Sequence, residues 1–98
     1  MFFHTVLMRL ADPDAAFVAR VEAYAARVRA ELPYVRTYHF GSNLASRSSE
    51  YRWLVVAAFD RAEDHERYQL SRVHQEMKAF MAPRIEQLVA GDADTSEL

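Results

Sequence analysis

Residues 51–59, Tyr-Arg-Trp-Leu-Val-Val-Ala-Ala-Phe, constrain this chain more than any other stretch. In an extended segment successive side chains point to opposite faces. Tyr51, Trp53, Val55, Ala57 and Phe59 therefore share one side, and Leu54, Val56 and Ala58 the other. Both sides are apolar, so the strand belongs inside a sheet covered on both faces. Its apolar run, Leu54–Phe59, is far too short to cross a bilayer.

The rest of the chain supplies neighbours for that strand. Phe2–Leu10 reads as a strand with His4, Val6, Met8 and Leu10 on one face and Phe3, Thr5, Leu7 and Arg9 on the other. Asp12 reads as a helix cap with Pro13 in the first turn. The helix carries Phe17, Val21, Tyr24, Val28 and Leu32 as its apolar stripe, and Leu32-Pro33 ends it. Tyr34–Phe40 forms a second strand, and residues 41–50 a polar loop. After Phe59, Asp60 and Glu63 suggest a capping box for a second helical region. Its stripe is Leu70, Val73, Met77 and Phe80 or Met81, up to Pro83. Ile85–Ala93 fits either a helical continuation or a short last strand, and Gly91–Leu98 reads as a frayed acidic tail.

Strand, helix, strand, strand, helix is the order of the split βαβ arrangement, a ferredoxin-like α+β fold. With both helices on one face, the other face of the sheet needs a cover. Leaving Trp53, Val55 and Phe59 in water would expose a large apolar patch. A second copy packed sheet against sheet solves this, so a homodimer is expected.

Composition removes several classes of function. The 98 residues suit one domain, and the absence of cysteine excludes disulfides, thiolate nucleophiles and cysteine zinc sites. Twelve Lys+Arg against 14 Asp+Glu give a net charge of −2, with no electrostatic footprint for nucleic acid or an anionic membrane. No leader-like or membrane-spanning segment is evident, which points to the cytoplasm. There is no His-x-His pair or HExxH motif, Asp12 and Asp14 are assigned to capping, and Asp92 and Asp94 to the tail. Gly41 and Gly91 are the only glycines, too few for a phosphate-binding loop. Neither a metal nor a cofactor is expected.

Five stretches carry a resemblance: Phe3-His4-Thr5-Val6-Leu7, Leu32-Pro33-Tyr34-Val35, Gly41-Ser42-Asn43-Leu44, Tyr51–Phe59, and Tyr68-Gln69-Leu70-Ser71-Arg72-Val73-His74-Gln75. In their order and spacing the chain resembles the stress-responsive A/B barrel (Dabb) domains, a branch of the dimeric α/β-barrel superfamily. The resemblance implies a Dabb domain over residues 1–93 followed by a tail over 94–98. It also implies a four-stranded antiparallel sheet with helices on one face, Ile85–Ala93 as the last strand, and two sheets closing a barrel between subunits.

Many members of that family have no assigned activity. The plant polyketide cyclase branch uses a Tyr and a His of the Tyr68–His74 spacing for cofactor-free aldol cyclisation of a poly-β-ketone. Carried over, His74 is the base that removes a proton beside a carbonyl, Tyr68 orients or polarises that carbonyl, and the ligand is small and aromatic or polyketide-like. His4 and Trp53 are expected in the pocket wall, where an indole makes the pocket smaller and drier than in the cyclase branch. The family's His-Pro ahead of the final His is replaced by Ser71-Arg72. On an unbroken helix Tyr68 and His74 would stand about 120° apart around the axis, so their convergence requires a break. A non-catalytic stress-associated dimer with structural histidines is the competing reading, and cofactor-independent oxygenation of an aromatic substrate a third. His39 has no evident partner, and His65, in a charged first turn, is expected in solvent.

Overall fold

A computed structural model describes residues 1–97. Leu98, part of the expected tail, lies outside the described residues. The elements are β1 (Phe2–Leu10), α1 (Ala15–Glu31), β2 (Val35–Ser42), β3 (Trp53–Phe59), α2 (Ala62–Leu70), α3 (Arg72–Met81), a 3₁₀ turn (Ala82–Arg84), β4 (Ile85–Asp94) and a second 3₁₀ turn (Thr95–Glu97). All neighbouring strands are antiparallel, in the order β2-β3-β1-β4. This is the ferredoxin-like α+β fold, with β1 and β3 in the centre.

The register decides which side chains share a face. His4 lies opposite Ala57, Val6 opposite Val55, and Met8 opposite Trp53. Across the other edge of β1, Asp92 faces His4, Ala90 faces Val6, and Leu88 faces Met8. The helices cover this side. Phe17, Val21 and Val28 of α1 and Val73, Met77 and Met81 of α3 are buried in one core with Met8, Phe40, Val55 and Phe59. Burial of such side chains stabilises by roughly 1.5–3 kcal/mol each.

As the doubly apolar segment requires, β3 is interior, but the sides are exchanged. Trp53, Val55 and Phe59 face the helices. The open side carries Leu54 and Val56, half-buried, beside Phe3 at 37% and Val89 at 48% exposure.

Four local expectations change. Asp14, not Asp12, caps α1, its Oδ1 accepting from the Phe17 N–H at 2.8 Å. Asp12 takes a left-handed conformation, φ 45°, and Pro13 falls before the helix. Asp60 caps nothing: it forms a two-pronged pair with Arg36, and α2 starts after Arg61 with no side-chain cap. Leu70 is 81% exposed, because the helical region is two helices with different buried faces, Asp64/His65/Tyr68 and then Val73/Met77/Met81. Finally, Gly91–Asp94 are not frayed; they pair with Thr5–Phe2 at the end of β4. No helix among the described residues is long and apolar enough to cross a membrane.

Candidate functional site

Between the covered face of the sheet and α2–α3 lies a cavity of about 240 Å³. Val6, Met8 and Val55 form its floor, Met77 and Met81 its roof, and Ala90 and Leu88 its β4 side. Leu88 and Lys78 are exposed, so the mouth opens between β4 and α3. Into this apolar space point four other polar side chains: His4, Tyr38, Tyr68 and His74.

Their convergence depends on Ser71. Its ψ of 151° takes the chain out of α2, and it then caps α3. The Ser71 hydroxyl donates to the Tyr68 carbonyl at 2.6 Å and accepts from the His74 N–H at 3.2 Å. One side chain thus closes one helix and opens the next. The result is a Tyr68–His74 ring-centroid distance of 4.4 Å.

The electrostatics are those of a dry site. Burial, with a contribution from the Lys78 cation, pushes the His74 imidazole down to about 4. Its Nδ1 is buried and meets no hydrogen-bond partner among the described residues. At neutral pH His74 is therefore an uncharged ring with an uncommitted nitrogen. Tyr68 and Tyr38 are buried with their hydroxyls 2.7 Å apart. Burial pushes Tyr38 up to about 12 and Tyr68 well above the ordinary phenol range, so both stay protonated. The Tyr38 proton has two acceptors, Tyr68 at 2.7 Å and Met77 Sδ at 3.4 Å; when it goes to Tyr68, the Tyr68 proton is left free for a carbonyl oxygen in the cavity.

His4, 8% exposed, lies on the cavity wall with its Nδ1 2.6 Å from Asp92 Oδ1. Trp53 does not join it. The antiparallel register places Trp53 opposite Met8, four residues or about 13 Å along the strand from His4. There it stacks on Phe40 at 5.5 Å and borders a different depression, with Arg9 and Pro13.

Other contributors went unrecognised in the sequence. Tyr38 shares a β2 face with Phe40, and that alternation was a usable signal. His65 lies one helical turn before Tyr68, a signal outweighed by the charges around it. Instead of being solvated it is 6% exposed, enclosed by the rings of Phe2, His4, Phe59 and Tyr68. Burial lowers its pKa. Asp92 reaches His4 only through the β1–β4 register, which no local pattern announces.

Fold and site together define a ferredoxin-like domain with a small polar-ended cavity beneath a broken helix. The model of the stress-responsive A/B barrel domain matches residues 2–95, and the chain belongs to that family. No curated protein sequence matches it. Among solved structures it is similar to a dimeric ferredoxin-like protein of unknown function from Thermobifida fusca, at 27% identity and TM-score 0.79, covering 94% of this chain and 88% of that one. A dimeric ferredoxin-like protein of unknown function from Jannaschia sp. matches with TM-score 0.83 at 15% identity, over 96% and 98% of the two chains. A hydroxynitrile lyase from Passiflora edulis matches with TM-score 0.80 at 15% identity, over 94% and 90%. At 15% identity these last two likenesses speak to the fold alone.

Proposed function

We propose that the chain acts as a homodimer in which each subunit holds a small, largely apolar carbonyl compound, and that Tyr68 and His74 perform cofactor-free acid/base chemistry on it. The observation that carries this reading is the meeting of Tyr68 and His74 at 4.4 Å among the residues that line the cavity, with the His74 imidazole held neutral by burial. His74 removes a proton from the carbon beside the carbonyl, while the Tyr68 hydroxyl donates a hydrogen bond to the carbonyl oxygen as it becomes an enolate oxygen. The imidazolium formed is stabilised by the enolate beside it, which offsets the desolvation that depresses the free ring. A positioned base of this kind contributes about 10²–10⁴-fold. In a poly-β-ketone the enolate carbon then attacks a second carbonyl of the same chain, and the His74 imidazolium returns its proton to the alkoxide so formed, an aldol cyclisation favoured by an apolar wall that folds the substrate. At about 240 Å³ the cavity is smaller than the usual ligand site of about 300–1,000 Å³, which restricts it to a compact compound.

The open sheet face supports the dimer: Phe3, Leu54, Val56 and Val89 are apolar and uncovered, and the Thermobifida and Jannaschia relatives are described as dimeric. An enzyme among the fold neighbours, the hydroxynitrile lyase, supports a catalytic use of this scaffold.

The test is side-chain histidine NMR on the purified protein with a panel of aromatic and β-keto ligands, followed by turnover of whichever ligands bind. The His74 signals are expected to move on binding, and Tyr68→Phe and His74→Ala to abolish turnover while the fold remains. If no ligand moves His74 and His74→Ala costs only stability, the histidines are structural and the binding reading falls with the catalytic one. If ligands bind but none turns over, a binding protein remains and the acid/base chemistry is wrong.

A further inference from the structure

We propose that His4, His65 and Asp92 form a binding site for a divalent transition ion of the zinc type, separate from the Tyr68–His74 pair. The three residues come from β1, α2 and β4, and one ligand atom from each lies within 4.8 Å of the other two. Two imidazoles and one carboxylate are the donor set of three-ligand zinc sites, which keep a fourth position for water or a ligand. Spacing along the chain hides this set, because the residues are 61 and 27 positions apart.

An ordinary packing role accounts poorly for His65. Buried polar atoms nearly always have a hydrogen-bond partner. His65 Nε2 is buried and meets none among the described residues, and the ring's neighbours are aromatic: Phe2 at 5.0 Å, Phe59 at 5.3 Å and His4 at 4.3 Å. This apolar collar excludes water on the inner side and strengthens any charge interaction there. Asp92, with 42% side-chain exposure, supplies both the negative charge and a route from solvent.

The geometry needs side-chain adjustment only. Donors around a tetrahedral zinc ion with bonds of about 2.0–2.2 Å stand about 3.3 Å apart. The His4 Nδ1–Asp92 Oδ1 contact of 2.6 Å must open by less than about 1 Å, and no pair must close by more than about 1.5 Å. Asp92, on the edge strand, has room to make most of this change. The ion would tie β4 to β1 and α2, and because His4 also lines the cavity it would sit at the cavity's edge.

The test uses tag-free protein stripped with chelator and titrated calorimetrically with ZnCl₂, with CoCl₂ absorbance as the geometric probe. One ion per chain is expected, with the intense visible bands of low-symmetry four-coordinate Co²⁺ and a rise in melting temperature. Asp92→Asn, at an exposed position that spares the fold, and His65→Phe, which keeps the aromatic packing, are each expected to weaken binding at least about tenfold. His74→Ala is expected to leave it unchanged. Absence of zinc binding overturns the proposal. So does binding that survives Asp92→Asn, or that is lost in His74→Ala, since the ion is then held elsewhere. Should His65→Phe fail to fold, Asp92→Asn decides alone.

Discussion

Tyr68 and His74 lie six residues apart on opposite sides of a helix break, and their rings are 4.4 Å from centre to centre. A continuous helix would separate them by about 120° around its axis. The whole site therefore depends on one local event, the departure of Ser71 from helical geometry.

That dependence makes the break open to test from both sides. Ser71→Ala removes the hydroxyl that donates to the Tyr68 carbonyl and accepts from the His74 N–H. Loss of such a cap costs about 0.5–2 kcal/mol, and His74 should lose its position as well. Arg72→Pro is expected to do the opposite. Position 72 is the first residue of α3, where proline's fixed φ fits and its missing N–H is not needed, and the extended Ser71 is compatible with a following proline. Urea unfolding should show Ser71→Ala destabilised and Arg72→Pro neutral, or more stable by about 0.4–1 kcal/mol. A strongly destabilised Arg72→Pro would mean that the break differs from the one described.

His74 also sets a pH dependence. Burial pushes it down to about 4, against about 6.5 for a histidine in an unfolded chain. Below about 6.5 the unfolded state takes up a proton that the folded state refuses, so His74's contribution to stability is full above that pH and is lost as pH falls towards about 4. Burial shifts His65 in the same direction, so part of the acid sensitivity is its own. Unfolding curves taken from neutral pH into this window should fall more steeply for the natural protein than for His74→Gln. Equal slopes would show that His74 is not held neutral.

The contrast between what was and was not legible has a common cause. Alternation over residues 2–10 and 51–59 and the Leu32-Pro33 stop are local, and they led to the fold; which side of β3 meets the helices is not local, and there Trp53, Val55 and Phe59 took the covered side in place of Leu54 and Val56. The errors lie where a tertiary partner decides. His65 looks solvated among Glu63, Asp64, Glu66 and Arg67, yet its own side of α2 faces Phe2 and Phe59. Trp53 looks adjacent to His4 until the register sets Met8 opposite it. Leu70 belongs to the apolar stripe only if the helix continues through Ser71, and it does not. Asp92 looks like tail until β4 is extended by its pairing with β1.

The two aspartates at the start of α1 give a compact check on local reading. Asp14 holds the Phe17 N–H at 2.8 Å, so Asp14→Ala should cost about 1 kcal/mol. Asp12, at φ 45°, contributes its backbone carbonyl to the Asp14 N–H and to Arg84, which glycine would preserve. Asp12→Gly should therefore be neutral or slightly stabilising, since glycine adopts that conformation without strain. Thermal unfolding of the two variants side by side checks the assignment, and a reversed order would return the cap to Asp12.

The open face of the sheet offers the sharpest test of assembly. Val56 lies on the interior strand β3, opposite Thr5 on one side and His39 on the other, and its side of the sheet is the one the helices leave uncovered. A carboxylate introduced there would be buried without a partner in a sheet-to-sheet dimer, at a cost of several kcal/mol per ion. In a monomer it would sit in water at little cost. Sedimentation of the natural chain should therefore report a dimer and Val56→Glu a folded monomer, with circular dichroism unchanged. The control is Arg20→Glu, on the exposed side of α1, which should stay dimeric. A natural chain that sediments as a monomer, or a Val56→Glu variant that remains a dimer, would remove the sheet face as the interface.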